Sequence, residues 1–265
     1  MSSAGVRESR TEVAGVEIRS SGRGEGPPVV VLHHSFGNPG WLPFHEQLAR
    51  TFALEAPDLP GFGGSSRPDW ARDVRDLALL VGWWLRRRGD APVTVVGCGF
   101  GGWVASELAV IWPEGISHLV LVGSAGILPE RGRILDQVLV SHSEYVRAAF
   151  HRPEAYEAVY GADLPDDLLI QWDLNREMTA RVAWKPHMYN RRLVPLLPLV
   201  RIPVLVVWGE EDQVVPLECG ERFARLLPDA RLEVVADCGH AVDMERPEAL
   251  ARLVRDHLSR GEPCS

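Results

Sequence analysis

The sequence predicts a three-layer α/β protein, a mostly parallel sheet with helices on both faces, and three observations carry that reading. Nearly continuous apolar, β-branched runs (VVVL, VTVV, LVLV, VLVVW) recur along the chain, as strands buried on both faces require. Amphipathic stretches of helical period separate those runs. A glycine-rich turn, Gly97-Cys98-Gly99-Phe100-Gly101-Gly102, joins one strand directly to one helix.

The elements follow in order. The short runs at 11–13 and 16–20 are close enough to form an antiparallel hairpin at one edge of the sheet. Strands are predicted at 28–34, 52–58, 92–97, 118–123, 203–208 and 231–236, which makes eight in all. Helices are predicted at 43–51, 69–89, 100–112, 217–227 and 246–259. Between 125 and 200 no buried strand is evident. That stretch reads as helices at about 129–150, 153–160 and 166–183, followed by mixed aromatic and polar residues. The expected organisation is a core of residues 1–124 and 196–265, with 125–195 inserted as a helical lid.

Composition narrows the function classes. Of 265 residues, 46% are apolar and 24% charged, which suits a globular chain able to bury a core without staples. The net charge of −8 argues against a nucleic-acid partner, because phosphate binding needs a basic face. Lys185 is the only lysine among the 28 basic residues. The apolar stretch at 77–85 is far short of the ~18 residues that a membrane span needs. The first ten residues hold no apolar signal core. The four cysteines (Cys98, Cys219, Cys238, Cys264) show neither metal-ligand nor disulfide-framework spacing. The expectation is a cytoplasmic protein with a small-molecule ligand. It would have no metal, no cofactor and no membrane partner, and a homodimer is compatible with the sequence.

The segment PVTVVGCGFGGW, residues 92–103, resembles the nucleophile elbow of the α/β-hydrolase family, G-x-S-x-G. Gly97 and Gly101 match the flanking glycines, and Gly99 stands where that family carries its nucleophile. Four further segments are similar to the family in the family's order. LHHSFGNPGW resembles the oxyanion loop, with His34 where glycine is common. APDLPGFGGSSRP resembles the loop after the next strand. VVWGEEDQVVP carries the acid at Asp212, and DCGHAVDMERPE carries the histidine at His240. The resemblance covers nearly the whole chain and implies an α/β-hydrolase fold of the lidded esterase and carbon–carbon bond hydrolase branch.

It also implies chemistry. Asp212 would fix the tautomer of His240, making a general base whose proton donor is water or substrate rather than serine. The backbone amides of Ser35 and Phe100 would form the oxyanion hole. Hydrolysis of a small carbonyl compound is favoured over lyase-type proton abstraction. The alternative is an inactive, ligand-binding pseudohydrolase, since glycine relieves strain at an elbow that no longer needs a nucleophile. Cys98 reads as a small buried hydrophobe before a displaced nucleophile, and Ser35 as an orienting hydroxyl. His33 is expected to be a structural hydrogen-bonder and His34 a cavity residue. In the lid, Trp172, Asp173, Asn175, Arg176, Trp184, Lys185 and His187 form a polar and aromatic group that is a candidate substrate wall, with Arg176 or Lys185 meeting an anionic group. The remaining cysteines suggest no function.

Overall fold

A computed structural model describes residues 5–89 and 91–260. Eight strands form one sheet in the order β1-β2-β4-β3-β5-β6-β7-β8. They are β1 (Arg7–Val13), β2 (Val16–Arg23), β3 (Pro28–Leu32), β4 (Ala53–Pro57), β5 (Val93–Cys98), β6 (Ile116–Val122), β7 (Val204–Gly209) and β8 (Ala230–Val235). The β1–β2 and β2–β4 pairs are antiparallel and every other pair is parallel. The β1–β2 hairpin runs longer than the apolar pattern indicates. Its outer half is polar, paired Arg7 to Gly22 and Arg10 to Arg19, so hydrophobicity does not mark it. The four apolar runs are the central strands β3, β5, β6 and β7, and β5 and β7 are buried at every residue.

Nine α-helices accompany the sheet among the described residues: α1 (Pro43–Ala49), α2 (Val74–Arg86), α3 (Phe100–Ile111), α4 (His142–Ala148), α5 (Pro153–Tyr160), α6 (Asp166–Ala183), α7 (Leu217–Leu226), α8 (Val242–Glu245) and α9 (Pro247–Ser259). None of them is long and apolar enough to cross a membrane. One core cluster packs α2, α3 and α7 on one face of the sheet, and a second packs α1 and α9 on the other. These are the two outer layers of an α/β sandwich.

Two helices differ from the sequence pattern, each for a local reason. α2 starts at Val74 and not at 69, because Asp73 caps it. Its carboxylate accepts the Asp76 N–H at 3.2 Å, and Asp76 reaches back to the Asp73 N–H at 3.4 Å. Such a cap contributes about 1 kcal/mol. The helix expected at 129–150 is only α4. A capping box starts it at Ser141, whose Oγ accepts the Glu144 N–H while Glu144 accepts the Ser141 N–H. Upstream, the N–H groups of Arg131 and Gly132 go to Glu218, and that of Leu135 goes to the Val214 carbonyl. With its donors bonded to the segment after β7, this stretch crosses the core surface as irregular chain.

A buried carboxylate ties the layers together. Glu107 on α3 has a fully buried side chain and accepts from Arg75 on α2 at 2.7 and 2.9 Å, from Trp103 at 3.2 Å and from Asn190 at 2.7 Å. All parallel strands run the same way. The segments that follow β3, β4, β5, β6, β7 and β8 therefore meet along one edge, where open α/β sheets place their sites.

Candidate functional site

Gly99 is the residue between β5 and α3. Its φ of 54° and ψ of −111° lie in a region that side chains rarely enter. The turn is also crowded. A Cβ on Gly97 would stand 2.5 Å from the Gly101 carbonyl oxygen, so helix and strand meet backbone to backbone. This is the sharp strand-to-helix turn that the glycine pattern indicates. Phe100 is the first residue of α3, so its N–H has no partner within the helix. Ser35 is the second residue of the turn His34–Gly37, which the Gly37 N–H closes on the His34 carbonyl at 3.0 Å.

His240 comes from the loop after β8. Its Nδ1 lies 2.8 Å from Asp212 Oδ2, and both side chains are almost wholly buried. The other Asp212 oxygen, Oδ1, accepts the Val214 and Val215 N–H groups at 2.8 Å each. Oδ2 is left for the imidazole, so Nδ1 carries the proton and Nε2 presents a lone pair. That Nε2 faces Gly99, 2.8 Å from where a Gly99 Cβ would stand. The loop is fixed from both sides. Glu245 accepts the Gly239 N–H at 2.8 Å and those of His151 and Arg152 at 3.0 and 2.8 Å, and the Ala241 N–H bonds to the Ala149 carbonyl.

A second imidazole faces the same point. The Nδ1 of His34 lies 2.6 Å from the Gly99 Cβ position. Its Nε2 is 2.8 Å from Asp243 Oδ1, and its ring stacks on Phe36 with centroids 4.8 Å apart. Burial pushes the His34 pKa down, against the pull of Asp243, and the ring is neutral at neutral pH. Burial works to raise the Asp243 carboxyl, yet the electrostatic pull and hydrogen bond of the His34 imidazole, with His45 nearby, hold it below the usual carboxylate range. The pair is thus a neutral imidazole donating Nε2–H to a carboxylate. Its Nδ1 is buried without a hydrogen-bond partner among the described residues.

His33 points elsewhere, as expected of neighbours at a strand end. Its Nδ1 donates to the His34 carbonyl at 2.7 Å and its Nε2 accepts the Leu59 N–H at 2.9 Å. Both nitrogens are used and burial lowers its pKa. Cys98 packs in the core beside Val31, Val96 and Val122, and burial pushes its thiol well above the usual range. It is no thiolate nucleophile. The ligating atoms of His34, Cys98 and Asp243 approach within 4.8 Å of one another. The imidazole–carboxylate hydrogen bond and the protonated thiol leave these donors engaged with each other or unfit for a metal. Cys219 and Cys238 are buried and free, and Cys264 lies outside the described residues.

The lid candidates are scattered. Trp172 is buried edge-on to Tyr160. Arg176 donates to the carbonyls of Gln137 and Val140 at 3.1 Å, which pins the irregular crossing of 131–141 to α6. His187 sits near Leu135 and Asp136. Trp184 and Lys185 line a cleft of about 730 Å³ with Trp103, Arg181, Arg191 and Arg192, and neither Gly99 nor His240 borders it. Two insertion residues reach the site segments: Tyr145, which the sequence did not mark, and Asn175, which stands among the polar and aromatic candidates of the lid. Tyr145 on α4 hydrogen-bonds through its hydroxyl to Ser35 Oγ at 3.2 Å. Asn175 on α6 donates to the Phe36 carbonyl at 2.9 Å. Asp243 and Glu245 were missed too, although carboxylates three and five residues beyond His240 were a readable signal.

The model of the family described as "Alpha/beta hydrolase family" matches residues 23–253. The 2-hydroxy-6-oxo-6-(2'-aminophenyl)hexa-2,4-dienoic acid hydrolase of Metapseudomonas resinovorans is 28% identical, over 93% of this chain and 89% of its own. The 2-hydroxymuconate semialdehyde hydrolase of Pseudomonas sp. (strain CF600) is 29% identical, over 94% and 93%. Among solved structures, a membrane phospholipase A described as a bacterial virulence factor matches with a TM-score of 0.84 at 25% identity, covering 98% of this chain and 88% of that one.

Proposed function

Because the chain belongs to the alpha/beta hydrolase family, we propose that it hydrolyses a small carbonyl compound with His240, backed by Asp212, as general base towards water. The observation that carries this reading is the free Nε2 of His240, aimed at Gly99 with its tautomer fixed by Asp212. No serine, cysteine or aspartate occupies that point to take an acyl group. A water molecule attacks the substrate carbonyl and gives a proton to Nε2, and Asp212 stabilises the imidazolium. The electron pair displaced onto the carbonyl oxygen is met by the Phe100 and Ser35 amides. Collapse expels the leaving group, which takes the proton back from His240. Proton abstraction from an acidic substrate, without water, uses the same base and is the less favoured reaction.

In this reading residues 125–195 act as a lid. Tyr145 and Asn175 bond it to the loop that carries Ser35 and Phe36, and His34, Ser35 and His240 are buried. The relatives named for hydroxy-oxo-hexadienoic acids make keto-dienoic acids the first substrates to try, with simple aryl esters beside them. A second reading, a ligand-binding pseudohydrolase, has one observation in its favour. His34 fills room that a nucleophile side chain would need, and His240 is only 3% exposed. The two readings separate on a panel of vinylogous diketones, lactones and aryl esters, assayed with wild type and His240→Ala. Turnover that disappears in the variant supports the hydrolase. Binding without turnover in both proteins supports the pseudohydrolase.

A further inference from the structure

We propose that His34, backed by Asp243, is a second catalytic group, and that its Nδ1 and the Nε2 of His240 together hold the attacking water at the vacant nucleophile position. The assignment rests on the hydrolase reading above and goes beyond it in giving the water a built site.

Three features carry it. First, the two nitrogens converge. A Cβ grown from Gly99 would lie 2.6 Å from His34 Nδ1 and 2.8 Å from His240 Nε2, closer than carbon stands to either. Glycine is needed there for the backbone angle, and it leaves the side of Gly99 that both nitrogens face without a side chain. Second, both nitrogens are acceptors. Each ring spends its N–H on a carboxylate, Nε2–H of His34 on Asp243 and Nδ1–H of His240 on Asp212, so each turns a lone pair inward. Third, His34 Nδ1 is fully buried and has no partner among the described residues. A buried acceptor left unpaired is costly, and a packing role does not require one. Phe36 and the neighbouring apolar core would accept an aromatic ring in place of this imidazole without an ionised carboxylate beneath it.

Two facing acceptors select their occupant. A serine hydroxyl has one hydrogen and satisfies one of them. A water molecule has two and satisfies both, and its oxygen lone pairs then point away from the rings. When that oxygen bonds to the substrate carbonyl carbon, the proton on the His240 side passes to Nε2. The hydrogen bond to His34 holds the other proton until collapse leaves it on the carboxylic acid product. The carbonyl electron pair returns as the bond to the leaving group breaks, and His240 protonates that group. The sum is substrate plus water giving acid plus protonated leaving group, with both imidazoles restored.

The test joins crystallography of the wild type with ester kinetics, using 4-nitrophenyl acetate as probe. The expected result is density for a water within hydrogen-bond reach of His34 Nδ1 and His240 Nε2. His34→Ala is expected to lose that water and to lower kcat on the order of tenfold with little change in KM, the loss of one hydrogen bond to the reacting water. His34→Asn, whose Oδ1 falls near the place of Nδ1 and keeps the acceptor, is expected to retain the water and recover part of kcat. That recovery also guards against a fold made unstable by the alanine. Wild-type density that shows no water between the rings overturns the proposal, as does His34→Ala matching wild-type kcat. A bridging water in a protein that turns over no substrate removes the hydrolase reading and leaves the two-imidazole water site standing. Turnover that ignores His34 does the reverse.

Discussion

The two imidazole–carboxylate pairs that face Gly99 are alike in outline and differ in how they are anchored. Asp212 lies in the loop after β7, and two backbone N–H groups lock one of its oxygens. The His240–Asp212 pair is therefore oriented by backbone that the strand end itself positions. Asp243 belongs to the four-residue helix α8 and is buried beneath His34 and beside His45. The second pair is oriented by packing, across 209 residues of sequence. The comparison shows one site assembled by two routes. A loop at a strand end sets the first, and complementary side chains from opposite ends of the chain set the second. Both rings crowd position 99, His34 at 2.6 Å and His240 at 2.8 Å from where a Cβ would stand.

Removing the first pair is the largest expected effect. His240→Ala or Asp212→Asn is expected to lower kcat by about 10³ to 10⁴, through loss of the base or of its tautomer. Thermal unfolding of Asp212→Asn should stay near wild type, since the amide oxygen can still accept the Val214 and Val215 N–H groups. A small kinetic effect would dissolve the distinction between the pairs.

Acid should expose the buried side of the comparison. His45 packs near Asp243, and burial lowers its pKa to about 4. A group depressed in the folded state stabilises the fold above its unfolded value, near 6.5, and that contribution disappears as pH falls to about 4. The folded protein takes up the proton later than the unfolded chain does. The shift corresponds to on the order of 3 kcal/mol, and His34, shifted the same way, adds to it. Urea midpoints at about pH 7 and about pH 4.5 should fall steeply in wild type and less steeply in His45→Asn. Equal slopes would remove His45 from the account.

Gly99→Ser should cost about 1 to 3 kcal/mol through its backbone angle alone, and its Cβ must also displace the His34 and His240 rings. No acyl-enzyme is expected from the single variant. Adding His34→Gly opens the space, and Gly99→Ser with His34→Gly should acylate with an aryl ester and recover part of the lost thermal stability. Acylation by the single variant would show that His34 gives way easily. The smallest effect belongs to the insertion. Tyr145→Phe removes one hydrogen bond to Ser35, worth about 0.5 to 1.5 kcal/mol. A higher KM with unchanged kcat would fit a contact that only holds the lid shut.

Much of this architecture is legible in the residues, and the rest is hidden for definable reasons. The central strands declare themselves because burial on both faces leaves only apolar positions. The elbow is legible because a sharp turn against a strand needs glycine at Gly97 and Gly99. Asp212 and His240 are legible through the resemblance of VVWGEEDQVVP and DCGHAVDMERPE to the family's acid and histidine segments. The outer half of β1 is not, since its cross-strand partners are polar. The segment 131–141 looks helical in composition, but its N–H groups find partners on Glu218 and near Val214. His34 draws attention as a departure from glycine, while its partner Asp243 is invisible without the fold. Arg176 looks like a ligand-binding residue because a cation holding carbonyls inside an insertion has the same composition as a cation awaiting an anion.

The central claim is a hydrolase that works without a covalent intermediate. Its most direct test follows nitrophenol release from 4-nitrophenyl acetate in the millisecond range while the intact protein mass is read from the same quenched samples. The account predicts release that is linear from the first turnover, no acetyl adduct at any time, and loss of the reaction in His240→Ala. A burst of one equivalent with an acetylated protein, or release unchanged in His240→Ala, would contradict it.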